Sequence, residues 1–249
     1  MIELLLISLQ FCSQLATEKF ASLAERQAAK SQPRVEVARY LRPSGTDWVF
    51  ESEIRLTHSE GRLELKSVTG REKSRLTLAA TFDRDSRLLE ATVTTERENE
   101  KQSARAAVSD GKARVTRHGG EESELDCPAG VIVTSAPDWT DAFLMVRRYD
   151  RTRGGKQEFA GLWIHPTQPP LRPTFSIDCI GDNTVQHDGQ DVRLDRFLVV
   201  LRGGTRYIAW GNNSGRMVRL VPQNSPQQGI ALDSWEHAAG DLAPDKPVQ

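Results

Sequence analysis

Residues 172–222 read RPTFSIDCIGDNTVQHDGQDVRLDRFLVVLRGGTRYIAWGNNSGRMVRLVP and predict consecutive β-hairpins. Two dipeptides in this stretch, Asp188-Gly189 and Gly203-Gly204, are two-residue turn signals that supply positive φ at low steric cost. Residues 211–215 predict a longer turn that closes a third hairpin. The stretch therefore indicates an antiparallel sheet with short connections.

The register of these hairpins follows from pairing Arg202 with Thr205 across Gly203-Gly204. This pairing predicts one apolar face made of Phe197, Val199, Leu201, Ile208, Trp210, Val218 and Leu220. The opposite face carries Leu194, Leu198, Val200, Tyr207 and Met217. A sheet that is apolar on both faces must be covered on both, by helices, by another sheet or by a ligand.

Composition places the chain among globular proteins. It has 249 residues, of which 38% are hydrophobic, and its net charge is −1. This length suits a single large β domain. A net charge so close to zero gives no global field that would draw the protein to nucleic acid, so we expect no nucleic-acid partner.

The three cysteines are Cys12, Cys127 and Cys179. They show no CxxC or Cys/His ligand spacing, which argues against a zinc site. If the N-terminus is removed, two cysteines remain. These two either form one disulfide in an oxidising compartment or stay as two separate buried thiols.

The N-terminus, residues 1–16, has an apolar run of the length found in signal peptides and too short to span a membrane. Glu3 stands where a signal peptide carries a positive charge. We predict export, with a periplasmic or secreted location and no transmembrane span. The alternative is an apolar first helix packed on the domain.

The remaining chain is predicted in three parts. Residues 17–45 form an N-terminal helical segment, with helices at 17–30 and 35–41. Residues 46–235 form a curved antiparallel meander or half-barrel of about ten strands, interrupted by one internal helix over 135–149 with an N-cap at Ser135. Residues 236–249 form a disordered tail. Trp235 follows the last strand and is predicted to fold back over an open end of the sheet.

Catalytic motifs do not stand out in the sequence. GxSxG, P-loop, GxGxxG and HExxH patterns are absent, and no two histidines have metal-ligand spacing. We therefore predict no enzyme activity, no catalytic residues, no cofactor and no metal. The contrary hypothesis is a hydrolase whose site is assembled from strand ends around His165 and Asp178, with Asp195 as a possible second acid.

A family resemblance is carried by residues 175–181, Asp195-Arg196-Phe197, Trp210 and residues 215–220. This pattern resembles the C-terminal half of exported bacterial proteins of unknown function that build a curved antiparallel sheet. The helix-first meander also resembles, in architecture only, the periplasmic lipoprotein carriers LolA and LolB. The resemblance implies export and a curved sheet that encloses helices, and it supplies no catalytic residues.

The functional hypothesis is a non-enzymatic exported protein that binds a lipid-like or other apolar ligand on the concave face of its sheet. The predicted lining is Leu194, Leu198, Val200, Tyr207 and Met217. Methionine adapts well to such pockets. In the alternative interpretation the helices fill the concavity, and the protein is a cell-envelope interaction or scaffold protein that binds an envelope protein. The sequence leaves the oligomeric state open.

Overall fold

The structure is a computed structural model that describes residues 33–71, 73–98, 100–135, 139–238 and 242. These residues form fifteen β-strands and one α-helix, α1 (Thr140–Arg148). The strands are β1 (Arg34–Ser44), β2 (Asp47–Ser59), β3 (Arg62–Arg71), β4 (Ser74–Asp83), β5 (Leu88–Arg97), β6 (Glu100–Ser109), β7 (Lys112–Thr116), β8 (Glu122–Asp126), β9 (Ile132–Thr134), β10 (Gln157–Trp163), β11 (Thr174–His187), β12 (Gln190–Val200), β13 (Arg206–Gly211), β14 (Met217–Pro222) and β15 (Ile230–Leu232).

All the strands belong to one sheet, in the order β8-β7-β6-β5-β4-β3-β2-β1-β15-β14-β13-β12-β11-β10-β9. Every neighbouring pair is antiparallel except β9 and β10, which are parallel. The first and last described strands, β1 and β15, pair with each other through Tyr40 and Leu232. The two edges of the sheet, β8 and β9, are consecutive in the chain.

The sheet is rolled up, as its dimensions require. Fourteen strand spacings would separate the edges of a flat sheet by roughly 65 Å. The connection between Asp126 and Ile132 can span at most about 20 Å. The edges therefore lie close together, and β8 and β9 face each other across a seam that no described ladder closes.

The rolled sheet has two ends, which we name the mouth and the base. The mouth carries the turns β1–β2, β3–β4, β5–β6 and β7–β8, together with residues 164–170. The base carries the β8–β9 connection and the turns at residues 187–190 and 212–216. A hydrogen bond from the His118 N–H to the Pro166 carbonyl joins the two sides of the seam at the mouth, with an N···O distance of 3.0 Å.

Strands β2–β7 have one buried face and one exposed face. The buried face alternates along each strand, as the period of two requires. It carries Ile54, Leu56, Leu65, Leu78, Ala80, Phe82, Val93, Ala104, Ala106 and Val115. These residues point into the curl, since Phe82 lies beneath the Arg148 guanidinium of α1, 5.6 Å from its ring centroid.

Helix α1 lies inside the rolled sheet and runs from the mouth to the base. In its last turn, Val146 packs closely over Gly211 of β13. At its C-terminal end, Arg147 donates two hydrogen bonds to the Glu36 carboxylate of β1, at 2.8 and 3.1 Å. The helix therefore packs against the inner face of both halves of the sheet.

Strands β13 and β14 are buried on both faces, as the sequence predicts, whereas β11 and β12 carry exposed residues towards the base. Phe197, Ala209 and Leu220 face α1, and Ile208 and Trp210 lie on the outer face, each at most 2% exposed. Trp235 folds back onto the base of this half, where its ring stacks on His187 with 3.8 Å between centroids. The predicted return of Trp235 over an end of the sheet is confirmed.

Several parts of the predicted fold are confirmed in general form only. The protein is mainly β, with one long curved sheet and one helix, but it has fifteen strands where about ten were predicted. The strands that were not predicted include β1, β9 and β15, which have eleven, three and three residues. The internal helix begins at Thr140 with Trp139 at its N-cap position, later than the predicted Ser135.

Two helical predictions have different outcomes. The predicted helix over residues 35–41 is wrong, because these residues belong to β1, where Val37, Arg39 and Leu41 alternate with Ala38 and Tyr40 on the two faces. The predicted helix over residues 17–30 lies outside the described residues, and so does the predicted signal peptide. Among the described residues no helix is long and apolar enough to cross a membrane.

The predicted register across Gly203-Gly204 is wrong by one residue. Val200 pairs with Arg206, and Arg202 belongs to a single 3₁₀ turn with the two glycines. A shift of one residue moves side chains to the opposite face. Phe197 therefore lies opposite Ala209, and Trp210 lies opposite Arg196.

The C-terminal segment, predicted as a disordered tail, lies mostly outside the described residues. Residues 236–249 were expected to be disordered, yet Ala238 and Leu242 are buried, at 3% and 1% exposure. The rest of residues 239–249 lies outside the description. The two described cysteines are free, so there is no disulfide between them, and only Cys127 is buried whereas Cys179 is exposed.

Candidate functional site

A cavity of about 720 Å³ opens at the mouth of the rolled sheet. We name it the mouth cavity. One wall comes from the ends of β1–β6, and the other from residues 165–167 after β10. Its volume is within the range of small-molecule sites.

The floor of the mouth cavity is a row of cross-strand neighbours. Thr69 of β3 pairs with Leu76 of β4, Leu76 with Thr95 of β5, and Thr95 with Gln102 of β6. The row continues to Ser52 of β2, whose hydroxyl accepts a hydrogen bond from Thr69 Oγ1 at 3.2 Å. Deeper in the sheet the same face is mostly apolar, with Ser67 as a buried polar exception, so hydrogen-bonding groups are more frequent towards the mouth.

A second row of inward positions lies above this floor. Ser74 of β4 pairs with Arg97 of β5, and Arg97 pairs with Glu100 of β6. Lys73 and Arg75 line the rim beside them. This part of the wall thus supplies cations, a hydroxyl and one carboxylate.

The β1–β2 hairpin forms the side of the mouth cavity. A register shift between Tyr40 and Leu41 leaves Glu51 as an extra residue in β2. Such bulges are common at sheet rims and re-aim the neighbouring side chains. Here Arg42 and Glu51 both line the cavity and form an ion pair at 2.8 Å.

His165 forms the opposite wall. Its Nδ1 accepts a hydrogen bond from the Thr167 backbone N–H at 3.2 Å, which places the proton of the neutral ring on Nε2. The ring stacks on Trp163 with 5.5 Å between centroids, and the Arg202 guanidinium lies 4.3 Å from the Trp163 ring centroid. Burial, and after it the Arg202 charge, lower the pKa of His165. A neutral, oriented imidazole therefore lines the cavity.

The five predicted lining residues do not share one face. Tyr207 and Met217 lie on the inner face: Tyr207 contacts Trp139, with 5.9 Å between ring centroids, and Met217 pairs with Gly211. Leu194, Leu198 and Val200 lie on the outer face of β12. Because the register differs by one residue from the prediction, the structure separates the set that the sequence placed together.

The hydrolase hypothesis required His165 and Asp178 to meet in one cleft, and the structure separates them. Asp178 lies on the outer face of β11, seven residues along the strand from Leu171, the partner of Trp163. This places it roughly 20 Å from the His165 end of β10. Asp195 is held by Arg151, whose Nε donates to it at 2.6 Å. No described set of three or more His, Cys, Asp and Glu residues is arranged to hold a metal ion.

Sequence reasoning missed the mouth cavity apart from His165. Its floor residues are ordinary threonine and glutamine positions in separate strands, and only the pairing of four strands brings them together. A usable signal exists in hindsight: the inward positions of β2, β3, β5 and β6 change from apolar to polar at the same end of the sheet.

Comparisons with known proteins add the following. No protein-family model matches the chain, and no curated protein matches it. One similar solved structure is a DUF1089 family protein from Pseudomonas aeruginosa, with 16% sequence identity and a TM-score of 0.41, covering 71% of this chain and 90% of that chain. Another is a β-barrel-like protein of the domain of unknown function DUF1849 from Brucella abortus, with 8% identity and a TM-score of 0.46, covering 81% and 95%.

These neighbours are proteins of unknown function, in agreement with the general form of the resemblance seen in the sequence. Similarity to LolA and LolB is not among these findings. Both TM-scores are below 0.5, so the likenesses indicate no function for this chain.

Proposed function

We propose that the protein is a non-enzymatic, exported binding protein that holds a small polar ligand in the mouth cavity. The observation that carries the proposal is the floor row, in which Thr69, Thr95 and Gln102 present hydrogen-bonding groups to a cavity of about 720 Å³. Binding sites combine such a volume with a few convergent polar groups.

The proposal differs from an acyl-chain carrier because of the position of α1. Val146 and Tyr149 occupy the inner face at Gly211 and Phe197, where the Tyr149 and Phe197 rings are 5.0 Å apart. Buried side chains from Thr140 to Val146 fill the same region. An apolar ligand on the concave face would have to displace this helix, whereas a polar ligand at the mouth displaces only water.

The residues that line the mouth cavity favour ligand binding without catalysis. His165 is the histidine of this site, and its Nδ1 is engaged with Thr167. Asp178 and Asp195, the carboxylates proposed for a hydrolase, lie elsewhere in the sheet. The remaining lining groups are suited to hydrogen bonding and ion pairing.

The test is native mass spectrometry of protein purified from its host, with variants that change only the floor. Thr95→Val together with Gln102→Leu removes two polar groups while keeping the volume similar. Thr92→Val is the control, because Thr92 lies on the same strand at an outward position, opposite Ala79 and Arg105. We expect a bound small molecule in wild type and Thr92→Val, reduced at least tenfold in the double variant.

Absence of any bound molecule, or equal occupancy in the double variant, contradicts a site at the mouth and favours the scaffold alternative. Export is tested separately by N-terminal sequencing of the protein from its host. An intact Met1 on protein from the cytosolic fraction contradicts export.

A further inference from the structure

The mouth cavity has an excess of cations. Its lining includes the four cations Arg42, Lys73, Arg75 and Arg97, against the three carboxylates Glu51, Glu96 and Glu100. Two of these carboxylates are already neutralised, Glu51 by Arg42 at 2.8 Å and Glu96 by Lys101 at 3.4 Å. Lys101 does not line the cavity, so the charge facing a ligand is more positive than the count of lining residues suggests.

Arg97 is the cation best placed to meet a ligand. It occupies an inward position above Thr95, between Ser74 and Glu100 in the strand ladder. Although Glu100 is its cross-strand partner, the two side chains form no ion pair within 4.0 Å, and Arg97 has none with the other described carboxylates. Its guanidinium therefore presents a planar set of donors, a geometry that matches carboxylate and phosphate.

The opposite wall contributes a neutral donor. Because Nδ1 of His165 accepts from Thr167, the proton of the neutral ring lies on Nε2. The stack of His165 on Trp163 and of Trp163 on Arg202 fixes the plane of the imidazole. An acceptor oxygen on a ligand can thus be met from this side without reorientation of the ring.

We infer that the ligand of the mouth cavity is an organic anion, whose carboxylate or phosphate binds Arg97 and whose second acceptor oxygen binds His165 Nε2–H. This inference rests on the proposed function, because it specifies the chemical class held at the same site. Carboxylate and phosphate share the recognition chemistry, and the experiment below separates them.

The experiment follows the nitrogen resonances of Arg97 and His165 in isotope-labelled protein at constant ionic strength. Inorganic phosphate and acetate are the two probes, titrated separately. We expect saturable shifts at Arg97 and His165 with at least one probe, and the stronger binder identifies the anion. Surface binding elsewhere would move other resonances and leave His165 unchanged.

Three variants sharpen the result. Arg97→Ala should weaken the probe at least tenfold, as expected for loss of a charge-assisted hydrogen bond. Arg97→Lys keeps the charge but not the planar fork, so it should give an intermediate loss. Arg114→Ala is the matched control, because Arg114 is an exposed arginine on the outward face of β7.

The inference is overturned if neither probe gives saturable shifts, or if Arg97→Ala binds as wild type does. If mass spectrometry then still shows a bound molecule that the Thr95→Val/Gln102→Leu variant loses, the proposed binding site stands. Only the anionic character of its ligand is contradicted. If that variant also loses nothing, both the anion inference and the proposed function fail.

Discussion

Val146 of α1 occupies the space that a side chain at Gly211 would need. A Cβ on Gly211 would lie 2.5 Å from Val146 Cγ1 and 3.3 Å from Phe197 Cε2. Gly211 lies in β13 and pairs with Met217 and Asp195 on either side. The close approach of helix to sheet therefore depends on a residue without a side chain at this position.

Gly211→Ala should destabilise the protein by about 1–3 kcal/mol, the usual cost of overpacking a core. Urea denaturation measures the loss. Val146→Ala is also destabilising alone, yet in the double variant it makes room for the new methyl group. The double variant should therefore lose less stability than the sum of the losses in the two single variants. Strict additivity would show that the two residues do not share this space.

Glu36→Gln should lower stability at pH 7 by roughly 1 kcal/mol, a modest value because the pair is partly exposed. The Arg147 hydrogen bond holds the pKa of the Glu36 carboxyl below its ordinary value of 4.5. A carboxyl whose pKa is lowered in the folded state stabilises that state at pH values above its unfolded-state pKa. This contribution is lost as the pH falls through the folded-state pKa.

The difference in unfolding free energy between wild type and Glu36→Gln should accordingly shrink below pH 4.5. Chemical denaturation at several pH values measures it, and Glu60→Gln at an exposed turn position serves as the control. A difference that stays constant down to pH 3 would contradict the role of the Arg147 contact.

Arg219→Met should stabilise the protein by up to about 1 kcal/mol, since a half-buried cation with no described carboxylate partner is costly. Arg219 lies between Trp210 and Ala231 on the outer face, and its buried Nε has no hydrogen-bond partner. Burial lowers its pKa to about 10. Thermal or urea unfolding, with Arg62→Met as an exposed control, tests this. Clear destabilisation would mean that the guanidinium is stabilised where it lies.

The two described thiols should react at very different rates. Cys179 is exposed, whereas Cys127 is 4% exposed and burial raises its pKa. In a Cys12→Ser background, a thiol reagent should modify one cysteine at once and the second only after denaturation. Cys179→Ser should remove the fast reaction. Fast labelling of both thiols would indicate that the seam near Cys127 opens in the native state.

Much of the sheet could be predicted from local sequence. The dipeptide Asp188-Gly189 lies at the turn predicted for it, between His187 and Gln190. Hydrophobic side chains on both faces, as in residues 197–201, are typical of an interior strand, and β12 lies between β11 and β13. These features depend on turn residues and on the two-residue alternation of side chains in a strand, both of which can be recognised in short stretches of sequence.

The remaining features depend on strand register and on pairing between distant residues, which a short stretch of sequence does not determine. The loop at Gly203-Gly204 includes Arg202, and one additional residue changes which side chains meet α1. The pairing of Tyr40 with Leu232 joins positions far apart in the chain. The mouth cavity follows from the registers of β3–β6, so its floor could not be recognised before those registers were known.

The order of strands in the sheet places the two ends of the described chain next to each other. Strands β1 and β15, the first and last within the described part of the chain, are neighbours, and the Asp233 N–H donates a hydrogen bond of 2.8 Å to the Arg39 carbonyl. Cutting the chain between β8 and β9 and linking the start of β1 to the segment after β15, both of which lie at the base, would create a circular permutant. In that permutant every strand from β9 through β15 and then β1 to β8 follows its spatial neighbour. The natural order instead delays the joining of the two halves until the three residues of β15 have been synthesised.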